Sequence, residues 1–208
     1  LMGFLVFITI IDYVRLKNKI LILFGFLAIF FITINFSDYV KYRYIDQLFN
    51  KIKTKDEREK FLNNSLYIKL YKSGFYVFKN NPWLGVGNKN YRIETCDSKK
   101  NSLHKEYYCL THPHQVYIEL LSEHGIVGTI IIMSIIFYLI FRIIRKIIDS
   151  RNYIQAGCFI FLLLNFVPIL PSGSFFNNFN ITLFMINFSL MYAINKETNI
   201  FQKNDINI

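Results

Sequence analysis

The chain has 208 residues, 53% hydrophobic and 18% aromatic, with 22 Phe and a mean hydropathy of +0.29, which excludes an ordinary soluble domain and describes a membrane protein. Its net charge of +10 raises nucleic acid as a partner. A basic, Tyr-rich face beside a bilayer instead attracts membrane lipid headgroups or an anionic lipid-linked substrate, and nothing resembles a nucleic-acid fold, so no nucleic acid is expected.

Four uncharged windows approach the roughly 20 apolar residues that cross a bilayer core: Ile20 to Ser37, Gly125 to Phe141 with an amphipathic lead-in, Tyr153 to Leu170, and Phe175 to Ile194. Leu1 to Val14 is apolar apart from Asp12 and lacks a basic leader, so it reads as the tail of a truncated span and not as a signal peptide. The expected fold is all-α, a polytopic transmembrane helical protein seen as its C-terminal part. Two spans fall in residues 1–37, the first truncated; a long extracytoplasmic loop with amphipathic helices fills 38–113; three spans and a cytoplasmic tail fill 114–208. Basic residues orient it. Arg15, Lys17 and Lys19, then Arg142, Arg145, Lys146 and Arg151, then Lys196 and Lys203 all fall on one side if the spans alternate, and the positive-inside rule makes that side cytoplasmic. The loop from Asp38 to Pro113, with 15 Lys+Arg against 8 Asp+Glu, is long enough to escape the rule and is placed outside, as is the turn from Pro171 to Asn178.

Within the loop, Ile45, Leu48, Phe49 and Ile52 recur at helical spacing as an interfacial helix would. The charge cluster from Lys53 to Lys60 reads as a solvated helix face or loop. Ser65 to Lys79 forms a second interfacial helix, with Leu66, Leu70, Ser73 and Val77 on one face, and Asn80, Asn81 and Pro82 end it. In the turn Trp83 to Asn90, Gly85 and Gly87 are punctuation or let the backbone approach a ligand. Arg92 is either a surface residue paired with Glu94 or a planar fork for two phosphate oxygens. Cys96 and Cys109 bracket a polar loop and read as a disulfide outside the cytoplasm, while Cys158 sits inert in a span.

Thr111 to Gly128 runs from a His-Pro-His opening straight into the apolar window. Pro113 suits the first turn of a helix, with Thr111 or His112 as cap and His114 in that turn. His114, Ile118, Leu121, Gly125 and Gly128 then share a stripe ending in two glycines, which permits close backbone approach, and Glu123 falls on the opposite face. Three chemistries fit the histidines. They are a zinc site built from His104, Cys109, His112 and His114; a structural cap; or a proton acceptor at His114, whose ordinary pKa of about 6.5 suits it near neutrality.

His114-Gln115, nine residues, then Gly125 and Gly128 resemble a signature of the O-antigen ligase and polymerase family: His, then Asn, Ser or Gln, nine residues, Gly, two residues, and Gly, Thr or Tyr. The stretch Asn81 to Arg92, NPWLGVGNKNYR, resembles the family's Asn-Pro, Gly-x-Gly, Arg segment. The cysteines ahead of HPHQ and the turn Pro171 to Asn180, PSGSFFNNFN, are similar to one branch of it. The resemblance spans Ser65 to Ile194. It implies a bacterial inner-membrane, multi-pass glycosyltransferase with its site on the periplasmic face. The reaction would be an inverting transfer from undecaprenyl pyrophosphate to a sugar hydroxyl, with no metal and no cofactor. The donor would be an undecaprenyl-pyrophosphate-linked glycan, and the acceptor either lipid A core, for a ligase, or a lipid-linked glycan, for a polymerase. His114 would be the base that takes or orients the acceptor hydroxyl, Arg92 the clamp on the pyrophosphate, and His112 and Gln115 further substrate contacts. Tyr67 stands where many members carry an Arg, so either Lys69 nearby would substitute as a point charge or an Arg upstream would do that work. The alternative is a non-enzymatic transporter or sensor fragment whose outer loop binds anionic lipid or metal.

Overall fold

The computed structural model describes residues 15–42, 45, 53–150, 152–168, 171–196, 198 and 199, and every regular element among them is helical. The expected span at Leu1 to Val14, the amphipathic run beyond Ile45 as far as Ile52, and Lys203 lie outside the described residues.

Helix α1, Leu16–Phe36, rises about 32 Å at 1.5 Å per residue, enough for a bilayer core. None of its residues is buried. Thr33 and Asn35 return their side-chain donors to the carbonyls of Ile29 and Phe31, at 2.7 and 2.8 Å, which satisfies those donors within the helix. Ser37 breaks the helix and caps the short α2, Asp38–Lys41. Helix α3, Lys55–Asn64, opens with a capping box between Thr54 and Glu57 and buries nothing, so the charge cluster is a solvated helix.

Helix α4, Leu66–Asn80, buries Leu70, Ser73, Gly74 and Val77. It packs on the start of α7, Val116–Ser150. The fit depends on Gly74, where a Cβ would come within 2.4 Å of Ile118 and 2.9 Å of Pro113. Two short helices lie between: α5, Tyr91–Cys96, and α6, Ser98–Leu103.

Helix α7 departs from the expected register in two ways. It begins at Val116, and Gln115 caps it by accepting the Ile118 N–H at 2.8 Å, so His114 precedes the helix with a φ of 56°. Pro113 thus lies ahead of the helix and does not open the first turn. The helix is also broken at Gly125, with φ 63° and ψ −171°, so the glycine stripe does not continue as one smooth face.

Of the four expected windows, two become helices long and apolar enough to cross a membrane, α1 and α7. The other two are shorter: α8, Tyr153–Leu164, has 12 residues and α9, Asn178–Ala193, has 16, or about 18 and 24 Å. Asn165 is the C-cap of α8, and Asn177 starts α9 late as its N-cap. Helices α8 and α9 form an antiparallel pair. At one end Phe166, Phe175 and Phe184 cluster within 5.1–5.8 Å; at the other, the buried Gln155 amide donates to Met191 O at 2.6 Å and Thr198 Oγ1 at 2.8 Å. Tyr117 and Tyr192 tie α7 to this pair through Phe166 O and Leu139 O.

Gly125→Ala is expected to lower the melting temperature of the detergent-solubilised protein. That backbone region costs a residue with a Cβ about 1–3 kcal/mol, and the added carbon meets the Trp83 carbonyl at 2.3 Å. Gly157→Ala inside α8, where a Cβ meets nothing within 4 Å, should hold or raise it. Equal responses in a thermal-shift assay would contradict the break in α7.

Candidate active site

The turn after α4 lies along the break in α7. Ile126 and Val127 donate their N–H groups to Pro82 O and Trp83 O at 2.8 and 3.2 Å; in return Val86 and Gly87 donate to Ser122 O and Glu123 O at 3.0 and 2.8 Å. Gly85 and Gly125 face each other with φ of 67° and 63°, and a Cβ on Gly85 would lie 2.4 Å from the Glu123 carbonyl carbon. The close approach that Gly-x-Gly permits here is to a helix backbone. It resolves the two readings of that turn in favour of chain packing at Gly85.

Two carboxyl groups on α7, one helical turn apart and each 1% exposed, fasten the surrounding loops. Glu123 accepts the N–H of Lys89 at 2.8 Å and of Tyr91 at 3.4 Å, which fixes the start of α5. Glu119 accepts the Phe175 N–H at 2.9 Å and the Ser174 hydroxyl, which fixes the turn before α9. Tyr91, with no exposed surface, donates its hydroxyl to Ser73 Oγ at 2.8 Å, and that oxygen also accepts the Tyr108 N–H at 2.9 Å. Burial pushes the Tyr91 hydroxyl up to about 12, so it stays a donor. A disulfide between Cys96 and Cys109 closes the same junction. On chain-entropy grounds a loop of this size contributes about 3 kcal/mol.

A cavity of about 410 Å³ opens between the two fastened loops. Lys89, Arg92, Thr111 and His112 form one side; Ser174, Asn177 and Asn178 form the other. The Lys89 ammonium reaches across to Asn178 Oδ1 at 3.4 Å. Its lining carries two cations and no carboxylate, so it suits an anion with several oxygens. Behind His112 lies His114, ring to ring at 4.0 Å, and Tyr67 meets the His114 ring edge-on at 5.9 Å. The Ser172 N–H holds the His114 carbonyl at 2.8 Å. Lys89 and His114 are the non-glycine residues with positive φ among those described, at 61° and 56°. Strained backbone of this kind collects at functional sites.

The O-antigen ligase family model matches residues 1–133 of the 208. The chain belongs to the O-antigen ligase family. No curated protein and no solved structure matches it. Membership, with the membrane-length helices α1 and α7, makes this a membrane protein of O-antigen and lipopolysaccharide biosynthesis. The family implies glycosyltransferase-type activity and partners of the lipid-linked glycan and lipid A core kind. The match takes in the docked turn, α5, the histidines and the first part of α7, and the Pro171 to Asn180 turn lies beyond it.

Of the residues singled out in this O-antigen ligase family member, Arg92 and His112 face the cavity together. His114 does not line it and stands one ring behind. Gln115 is buried, its side-chain oxygen engaged as the cap of α7. Lys69 is half-buried on α4 and lines none of the cavity, while the ring contact with His114 comes from Tyr67. Cys109 is bonded to Cys96, so its sulfur is taken from the zinc set considered above. Lys89, Asn177, Asn178, Glu119 and Glu123 were not singled out. For the glutamates a signal existed: two carboxyls spaced i, i+4 leading into an uncharged apolar run are expensive and rarely idle.

Burial and the neighbouring charge of His114 hold His112 below its ordinary value of 6.5, with the Ser172 backbone offsetting part of the shift. As pH falls through about 6.5 the unfolded chain takes up a proton that the folded site resists, so stability is intact above this window and declines below it. His112→Phe is expected to flatten the acid limb of melting temperature against pH. An unchanged limb would contradict a neutral, half-buried imidazole.

Proposed function

We propose that the protein is a membrane glycosyltransferase that moves a glycan from undecaprenyl pyrophosphate to a sugar hydroxyl, by inversion and without metal. It works on the periplasmic face of a multi-pass inner-membrane protein, with 38–113 as the periplasmic loop. The acceptor is lipid A core, or a lipid-linked glycan if the protein elongates polymer. The reading is carried by the cationic cavity that Arg92 and Lys89 line together with His112, against whose ring His114 packs, on a chain of the O-antigen ligase family.

In this reading the acceptor O–H gives its proton to the His114 imidazole, and the oxygen's electron pair forms the new bond to the anomeric carbon. The bond from that carbon to the pyrophosphate oxygen breaks, and its pair leaves on undecaprenyl pyrophosphate. Arg92 and Lys89 balance the charge that gathers there, in a site already formed before the reaction. His112, packed on His114, fixes the orientation of the base. Gln115 acts through the helix start that fixes the segment ahead of it. Lys69 is assigned a supporting positive charge and no direct phosphate contact.

In a strain lacking the full-length gene, His114→Ala should abolish glycan transfer at normal protein level, read as surface polysaccharide on a gel. Arg92→Lys should reduce transfer by at least about tenfold, because an ammonium cannot make the bidentate contact. Product should persist in excess chelator. Wild-type transfer by His114→Ala would favour a non-enzymatic transporter or sensor, and wild-type transfer by Arg92→Lys would make that residue part of the surface.

A further inference from the structure

A second cleft, of about 670 Å³, lies at the corner between α3 and α4, lined by Glu57, Lys60, Phe61, Asn64, Ser65 and Tyr67 among others. Its chemistry differs from that of the cationic cavity. One carboxylate and one ammonium balance each other, an amide and a hydroxyl stand beside them, and two aromatic rings supply apolar faces. Ser65 is the N-cap of α4 yet makes no capping bond with its side chain. Glu57 uses its carboxylate on Thr54, so it is already held in place at the rim.

A chain of three rings joins the two clefts. Tyr67 lines the 670 Å³ cleft and packs its ring on His114; His114 in turn packs on His112, which lines the cationic cavity. A base serving a two-substrate transfer needs a leaving group on one side and a hydroxyl on the other. Charge sorts them. An anionic pyrophosphate is favoured where Lys89 and Arg92 stand without a carboxylate, and disfavoured beside Glu57. A sugar ring offers hydroxyls at its edge and C–H groups on its faces, and a pocket with a few polar groups set among aromatic walls suits both.

Resting on the transferase reading above, we infer that the cleft bounded by Glu57, Lys60, Asn64, Ser65 and Tyr67 binds the acceptor sugar and delivers its hydroxyl to His114 from the side opposite the pyrophosphate cavity. Tyr67 is a wall of that subsite.

The test uses the full-length protein in liposomes, with undecaprenyl-pyrophosphate-linked glycan as donor and, as acceptor, whichever of lipid A core or the lipid-linked glycan the wild type consumes. Lys60→Ala and Asn64→Ala alter exposed side chains on α3 and should leave the melting temperature unchanged. Each should raise the acceptor KM about tenfold, the loss expected for one or two polar contacts, with the donor KM unchanged. Arg92→Lys should show the reverse split. An unchanged acceptor KM in both variants, as a cleft holding only a phospholipid headgroup would give, overturns the assignment, and so does a rise in donor KM. If His114→Ala still transfers glycan, the transferase reading itself fails; if His114→Ala is inactive while both cleft variants behave as wild type, only the acceptor subsite fails.

Discussion

Glu119 and Glu123 sit one turn apart on α7, almost without exposure, and each has its oxygens taken by donors from a different loop. A carboxyl group buried without partners costs several kcal/mol, whereas hydrogen bonds to a charged acceptor are about twice as strong as neutral ones. Burial of the pair and ordering of the loops are therefore one event. Glu123 holds the segment that leads to Arg92; Glu119 holds the turn that carries Ser174 and precedes Asn177 and Asn178. The cavity is the space left between two segments pinned to neighbouring points on one helix.

Other constraints act on the same junction and agree with it. The broken helix at Gly125 presents free backbone groups, and the Pro82 to Gly87 turn takes them up, so a defect that would weaken an isolated helix becomes the docking point for the loop. Tyr91 and the Cys96–Cys109 bond join α5 to the segment that continues to His112. Arg92 is exposed while its neighbour Tyr91 is fully buried and anchors the backbone they share. An anchored backbone under an exposed guanidinium suits a group that must meet a charged ligand.

Much of this was legible in the sequence where the signal was local. Uncharged apolar runs give α1 and the long part of α7, the Asn-Asn-Pro run ends α4, and helical spacing picks out Leu70, Ser73 and Val77 on the buried face of α4, although Leu66 at its start is exposed and Gly74 joins the buried set. What failed was non-local. A glycine in an apolar run looks the same whether the helix continues or breaks, and the approach of Trp83 and Leu84 to Gly125 decides it. Pro113 looked like a first-turn proline, but the left-handed His114 and the Gln115 cap move the start of α7 beyond it. Hydropathy runs through Asn165 and Phe175 as if they belonged to spans, whereas α8 is capped at Asn165, α9 starts only at the Asn177 cap, and Phe166 and Phe175 pack together between them. Arg92 and His112 stood out as residue types. Their shared cavity depends on Glu119 and Glu123, and helical projection alone set Glu123 apart from His114 without a partner.

Amide hydrogen exchange in the full-length protein, compared between the wild type and Glu123→Ala, measures the central claim directly. The account predicts that the Lys89 and Tyr91 amides become fast in the variant while that of Phe175, held by Glu119, stays slow. Slow exchange at Lys89 and Tyr91 without the Glu123 carboxyl would mean that the loop is held by something else.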